Sequence, residues 1–378
     1  MKQASSLDAI DAYWMRCAIA LSNKAQGLTS ENPNVGCVII DADGNLCASG
    51  YTKAGGRPHA EQVALEKAGT SANQATIYVT LEPCSHFGKT PPCARAIIEA
   101  GIKRVVVGII DPDTRVNGQG IEQLRQAGIR VEINVLGREV ADIMPSFLAR
   151  KKLMLDGLEP DLNAMPYITV KIAHSRDGFV SKARGKGGQI SNQVSSAYVH
   201  DLRSRVDAVL ISQKTALVDN PRLTARIEGF KHPTTRIVLD RDFELLEKSL
   251  LVQTSDTHPL IMVCQNKPDP THWIYQRQKK DNIQLIIMND NYRLESIFNA
   301  LLQRGQGHLL VEAGPRLLES LLSAKLADEF IQIISPQKME VGLSIINTEQ
   351  SVVFSPPPPY VVSRQFNLAE DNVKIWKR

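Results

Sequence analysis

Strand-like and helix-like segments alternate along this chain twice over, with a loosened stretch between the two series, and that rhythm excludes most architectures. In the first series, residues 7–22 carry Leu7, Ile10, Trp14, Cys17, Ala18 and Leu21 on one helical side. "VGCVIIDADGNLCASGY" reads as two strands about a turn at Asp43-Gly44. "HAEQVALEKAG" is a helix stopped by Gly69, "ATIYVTL" a strand, "CARAIIEAG" a helix stopped by Gly101. "KRVVVGII", "QGIEQLRQAG" and "IRVEI" continue as strand, helix and strand. Around 149–166, charges together with Gly157, Pro160 and Pro166 break the pattern. A second series then gives strands at "YITVKIA", "DAVLIS", "TRIVLD", "PLIMVC", "IQLIIM" and "HLLVEAG", and helices at "SSAYVHDLRSR", "RLESIFNALLQRG" and "PRLLESLLSAKL". The expectation is two α/β domains, 1–150 and 166–378, joined by a linker at 151–165, each a largely parallel sheet covered by helices. "SPPPPY" reads as a stiff extended connector.

Size and charge agree with this division. A chain of 378 residues exceeds what one core organises. The net charge of +4 and 5% aromatics disfavour a general nucleic-acid surface, though not a local phosphate pocket. No apolar run approaches the roughly 20 residues of a membrane span, and the polar N-terminus does not read as a secretory signal. Six cysteines at 17, 37, 47, 84, 93 and 264 form no disulfide framework, so a reduced, cytoplasmic protein is expected.

The stretch "TLEPCSHFGKTPPC" places Cys84 and Cys93 each after a proline, at strand-to-helix turns. His59-Ala60-Glu61 opens a helix after Pro58. Helix starts offer free N–H groups and the positive dipole end, which favour thiolate. One imidazole and two sulfurs leave a fourth tetrahedral position for water, the open coordination of a catalytic zinc, and zinc brings that water's pKa to roughly 7. Iron is the competing metal by ligand softness. A single buried cysteine is ordinarily a small apolar residue, and sequence alone does not exclude a disulfide. The conjunction with Glu61, placed to shuttle a proton to a departing amine, favours the metal reading.

His-x-Glu with a following Pro-Cys is the pattern of zinc-dependent base deaminases. The long insert between the cysteines, with "NPNVGCVI" and "DPDTRVNGQG", resembles the deaminase half of the bifunctional riboflavin-biosynthesis deaminase/reductase family over residues 7 to about 150. The resemblance implies a cytidine-deaminase-like three-layer sandwich acting on a diamino-pyrimidine that carries a phosphoribosylamino group. It makes His59, Cys84 and Cys93 the Zn2+ ligands, Glu61 catalytic, and Asn32 and Lys89 substrate-binding. Thr52 stands where other members often have histidine, and His86 and Lys89 are candidates on charge grounds for the substrate phosphate.

In the second series three segments place polar residues beyond strand ends, where open parallel sheets bind ligands. They are Lys171 in "VKIAHSRDG", Thr215 and Asp219 after "DAVLIS", and Glu312 with Gly314-Pro315 after "HLLVE". A Gly-Pro helix start suits approach to phosphate. No G-x-G-x-x-G follows a strand, which disfavours a standard dinucleotide fold. From 166 to about 335 these segments resemble the reductase half of the same family, with a dihydrofolate reductase-like fold. The resemblance implies NADPH-dependent reduction of the ribosyl group to a ribityl chain. Lys171, Asp219 and Glu312 then line the reacting sugar. Arg203, Leu223, Arg226 and Glu312 hold substrate, and Ala173, Gln189, Thr215, Asp219, Gly314, Pro315 and Arg316 contact NADPH. The departures are Gly187 for serine, Gln189 for tryptophan, His174 for a small residue, and "PQKMEVG" after Ser335.

The partner is therefore expected to be a small phosphoribosyl-pyrimidine, with no nucleic acid or membrane, in a homodimer. The competing reading keeps an active deaminase beside a degenerate C-terminal binding module. A third, a nucleic-acid-editing deaminase, would need a basic, aromatic-rich surface that this composition lacks.

Overall fold

The computed structural model describes residues 6–29, 31–86, 91–113, 117–154, 164–181, 190–228, 233–278, 280–345 and 354–378. The chain divides into two compact units, Met1–Leu162 and Asn163–Arg378.

The N-terminal unit contains α1 (Ser6–Ser22), β1 (Gly36–Ile40), β2 (Leu46–Tyr51), α2 (Ala60–Ala68), β3 (Thr76–Leu81), α3 (Cys93–Glu99), β4 (Arg104–Ile109), α4 (Gln119–Gln126), β5 (Arg130–Glu132), α5 (Gly137–Ala141) and α6 (Pro145–Met154). Its sheet runs β2-β1-β3-β4-β5. β3, β4 and β5 are parallel, whereas β1 is antiparallel to both neighbours, so the sheet is mixed rather than largely parallel. The cause is local: the Asp41 carboxylate accepts the N–H groups of Asp43 and Asn45 at 2.9 and 2.8 Å, and this tight turn folds β2 back on β1.

Two glycines seat helices on opposite faces. A Cβ on Gly36 would lie 1.9 Å from the Ala18 carbonyl of α1, and one on Gly50 would lie 2.3 Å from the Ala60 carbonyl of α2. Gly50 pairs with Cys37, the residue after Gly36, so the two helices cover different sides. Three layers result, with strand side chains such as Ile39, Ile77, Val79 and Val106 buried between them. The α5 and α6 helices had no legible stripe, and α6 extends through Met154 into the expected linker. Residues 155–163 lie outside the described residues.

The C-terminal unit contains β6 (Tyr167–Ser175), β7 (Phe179–Ser181), α7 (Gln193–Ser204), β8 (Ala208–Ser212), α8 (Gln213–Asp219), β9 (Thr235–Leu239), α9 (Leu250–Gln253), β10 (Leu260–Cys264), α10 (Ile274–Arg277) and β11 (Ile283–Ile287). It continues with α11 (Leu294–Leu302), β12 (His308–Glu312), α12 (Pro315–Ser323), β13 (Glu329–Ser335), β14 (Leu343–Ser344), β15 (Val361–Leu368) and β16 (Asp371–Lys377). The nine-stranded order is β11-β10-β9-β8-β12-β6-β13-β16-β15. Pairing is parallel from β11 through β13, then antiparallel through the final hairpin. The parallel strands are apolar on both faces because helices cover both. Ala208 and Leu210 of β8 face one core with α11 and α12, while Val209 and Ile211 face the other. This is the expected dihydrofolate reductase-like α/β class.

Three features differ from the sequence reading. The segment read as a loop around Thr215 is α8, capped by Ser212, whose hydroxyl accepts the Thr215 N–H. The C-terminal hairpin was not anticipated, because β15 is largely exposed and carries no alternation. The stiff connector does pack: Phe354 and Tyr360 bracket Phe330, and the Tyr360 hydroxyl donates to the Ala327 carbonyl at 2.6 Å. Among the described residues no helix is long and apolar enough to cross a membrane.

Candidate active sites

In the N-terminal unit, three turns converge. His59 is the N-cap of α2, Cys93 is the first residue of α3, and Cys84 follows β3. His59 Nδ1 lies 3.3 Å from Cys93 Sγ and 3.7 Å from Cys84 Sγ, and the three ligand atoms lie within 4.8 Å of one another. The Cys93 N–H points at Cys84 Sγ from 3.3 Å, as the free donors of a helix start should. The cysteines are unlinked.

The Cys84 thiol is pulled down to about 4, first by its hydrogen bond to Cys93 and then, against burial, by His59. Cys93 is pushed up by the same contact and by burial, and His59 is raised by Cys84. One nitrogen and two sulfurs at this spacing are a tetrahedral donor set lacking its fourth member, and they suit a borderline-soft ion. Glu61 is 3% exposed, and burial lifts its carboxyl. The buried Cys37 faces it, its thiol raised by burial and then by the Glu61 charge.

Asn32 sits over the loop at Gly55-Gly56, its amide nitrogen donating to the carbonyls of Thr29 (3.2 Å) and Gly55 (3.4 Å). Its side-chain oxygen is the group left to offer. Thr52 is buried and its hydroxyl accepts the Val35 N–H at 2.9 Å, so it serves the strand end. His86 is exposed. Lys89, Gly187 and Gln189 lie outside the described residues.

Sequence reasoning missed Glu82. Its carboxylate accepts N–H groups from Asp111 (3.1 Å), Gly118 (2.9 Å), Gly120 (2.9 Å) and Ile121 (3.4 Å), tying the "DPDTRVNGQG" loop to the turn that carries Cys84. The available signal was an acid set between an apolar strand and Pro-Cys, in "TLEPC".

In the C-terminal unit a cavity of about 640 Å³ opens at the carboxyl ends of the central strands. Lys171, Ala173, Arg203, Thr215, Asp219, Arg226, Glu312, Gly314, Pro315 and Arg316 all line it. Leu223 is not among its lining residues; it is buried in the core beneath, with a φ of 55°. Strand register brings Lys171 directly beside Glu312. Glu312 Oε2 lies 3.5 Å from Lys171 Nζ, and Oε1 accepts Arg203 Nε at 2.6 Å. Burial alone would raise the Glu312 carboxyl, but the Arg203 and then Lys171 charges bring it down to about 2. Asp219, at the mouth, is raised by partial desolvation, with Lys171 opposing.

Gly314 caps α12, and a Cβ there would sit 3.6 Å from the Thr215 hydroxyl, so the two turns face each other. His200 also lines this cavity and was not anticipated; its Nδ1 bonds the Thr224 carbonyl at 3.0 Å, which Arg203 also approaches at 3.4 Å. His174, by contrast, is fully buried and bonds Ser175 and Gln332 on the opposite face of the sheet.

Comparison with known proteins assigns each unit to a family. Residues 8–109 match the cytidine and deoxycytidylate deaminase zinc-binding region, and residues 166–339 match the RibD C-terminal domain. The riboflavin biosynthesis protein RibD of Aquifex aeolicus is 36% identical over 336 residues, covering 89% of this chain and 90% of that protein. RibD of Escherichia coli is 35% identical over 346 residues, covering 86% and 88%. Among solved structures, the diaminohydroxyphosphoribosylaminopyrimidine deaminase/5-amino-6-(5-phosphoribosylamino)uracil reductase of Thermotoga maritima superposes with a TM-score of 0.82 at 30% identity, covering 98% of this chain and 99% of that one. With a deaminase unit followed by a reductase unit, and relatives matched over nearly their full length, this chain belongs to the RibD family of bifunctional riboflavin-biosynthesis deaminase/reductases.

Proposed function

We propose that the N-terminal unit, within 1–150, hydrolyses 2,5-diamino-6-(5-phosphoribosylamino)pyrimidin-4-one to release ammonia. The C-terminal unit, 166–378, then reduces the ribosyl group of the product to a ribityl chain. The observation that carries the first step is the convergence of His59, Cys84 and Cys93 beside the buried carboxyl of Glu61. These residues would hold Zn2+, which when bound supplies an activated water at neutral pH. Glu61 takes the proton of the attacking water and passes it to the departing amino nitrogen, a role its raised pKa suits. The Asn32 side-chain oxygen accepts an N–H of the pyrimidine, and Lys89 adds charge toward the phosphate.

For the second step, NADPH bound along the strand ends would supply the hydride that reduces the opened Schiff-base form of the sugar. Lys171, Glu312 and Arg203 form the fixed polar wall against the sugar, and Arg226 and Arg203 hold its phosphate end. Asp219 delivers the proton that the Schiff-base nitrogen gains, its raised carboxyl suiting that task. Thr215, Gly314, Pro315 and Arg316 seat the cofactor at the start of α12, with Ala173 beside the nicotinamide and Gln189 among the cofactor contacts. Leu223 supports the substrate from beneath. The reading includes a cytoplasmic homodimer, checked by size-exclusion chromatography with light scattering.

Glu61→Gln tests the first step. The expected result is loss of ammonia release by about 10²–10⁴-fold with stoichiometric metal retained. Ammonia release at the wild-type rate, or purified wild-type protein without stoichiometric metal, overturns the reading.

A further inference from the structure

The cavity of the C-terminal unit holds an imidazole, that of His200, to which the roles above give no task. Residues 221–227, after α8, form neither helix nor strand, yet they carry Arg226 to the cavity. Within them Leu223 has a φ of 55°, a conformation that a side chain of this size keeps only when its surroundings impose it. Leu223 and Thr224 are buried, which anchors the turn from beneath.

Two side chains of α7 tie the same segment from its other side. His200 and Arg203, three residues apart, lie on the helix face that lines the cavity. His200 Nδ1 lies 3.0 Å from the Thr224 carbonyl oxygen and 3.3 Å from the Arg226 backbone nitrogen. Carrying its proton, Nδ1 donates to the carbonyl; without it, Nδ1 accepts the Arg226 N–H. Either tautomer pins the segment to α7. Arg203 reaches the same carbonyl only at 3.4 Å, and its Nε is committed to Glu312 at 2.6 Å. Burial and then the Arg203 and Arg226 charges lower the imidazole from its ordinary value, so it is neutral at pH 7 and adds no third cation. What it supplies is placement of the backbone from which Arg226 projects.

Resting on the reading that Arg203 and Arg226 hold the substrate's phosphate, we infer that His200 is a positioning residue that fixes the Leu223–Arg226 turn for that phosphate and so sets the preference for a phosphorylated over an unphosphorylated substrate. Its effect falls on substrate binding, because Lys171, Asp219 and Glu312 at the reacting sugar take no support from this turn.

Steady-state NADPH oxidation by the full chain, on the deaminated ribotide and on the riboside that lacks its phosphate, tests this. His200→Leu keeps the bulk and removes both hydrogen bonds; His200→Ala removes them without added bulk. Each is expected to raise KM for the ribotide about 10-fold, with kcat within about threefold of wild type. The kcat/KM for the riboside and the affinity for NADP+ should change by no more than about twofold. His200→Asn, whose amide can serve either partner from the Nδ1 position, should recover most of the loss. Melting temperatures show which variants are folded. A ribotide KM unchanged in the folded variants overturns the inference and leaves the phosphate reading in place. Equal losses on ribotide and riboside, or a loss as large in His200→Asn as in His200→Leu, also overturn it, since they would show packing alone. Wild-type protein that uses the riboside as well as the ribotide removes the phosphate reading and the inference with it.

Discussion

Gly50→Ala is a substitution of one methyl group, far from any reacting atom, that should disable deamination. The added Cβ would fall 2.3 Å from the Ala60 carbonyl and 2.8 Å from the Ala64 nitrogen, both backbone atoms of α2, and 3.0 Å from the Val63 Cβ. Backbone atoms cannot swing aside as a side-chain tip can. Restoring an ordinary 3.4 Å contact with the carbonyl requires the helix to retreat by 1.1 Å. The first turn of that helix carries Glu61 and is capped by His59, while Cys84 and Cys93 hang on β3 and α3 and stay behind. Overpacking of this kind costs about 1–3 kcal/mol, which a domain of ordinary stability survives. Displacing catalytic groups by about 1 Å costs on the order of 10²-fold in rate. The assay follows ammonia release from the diamino-pyrimidine ribotide, with metal content, melting temperature and NADPH oxidation on pre-deaminated substrate as controls. The expected outcome is a folded protein whose reductase rate is unchanged and whose deaminase kcat falls about 100-fold. A variant with intact metal and a deaminase kcat within twofold of wild type would refute the claim that seating of α2 sets the site.

Two further outcomes separate the second site from the first. Asp219→Ala should abolish NADPH oxidation on deaminated substrate and spare ammonia release; loss of both activities in a folded protein would refute the division of labour. Glu312→Gln strands Arg203 and Lys171 beside a neutral group. Because the Glu312 carboxyl lies at about 2 in the folded chain against an ordinary 4.5, its charge contributes stability fully present above about pH 4.5 and lost as pH falls toward 2. A depression of that size corresponds to about 3 kcal/mol. Urea unfolding should therefore show a wild-type advantage near that size at pH 7 that narrows below pH 4.5; a gap independent of pH would contradict it.

How much of this could be read from residues alone follows from how local each signal is. His59, Cys84 and Cys93 announce themselves because proline-fixed turns and helix starts are properties of a few consecutive residues. Glu82 was overlooked because its four N–H partners lie about thirty or more residues downstream, and a buried acid gives no local mark of them. The α8 helix read as a loop because it is short and mostly exposed, with only Ala216 buried. Leu223 was placed by a motif, but its position in the core is a matter of packing.

The order of elements, the class of fold, the ligand types and the chemistry of an imidazole with two sulfurs were all determined by sequence, since they rest on periodicity, turn residues and atom identity. Tertiary structure decided which charges meet. Lys171 and Glu312 are 141 residues apart, and only the parallel register of β6 and β12 makes them neighbours. Likewise, Arg241, which follows β9, and Tyr292, which follows β11, line the same cavity only because β9, β10 and β11 are consecutive in the sheet. Pairing between distant strands is set by burial of both faces of a sheet, a global quantity that no short stretch of chain encodes.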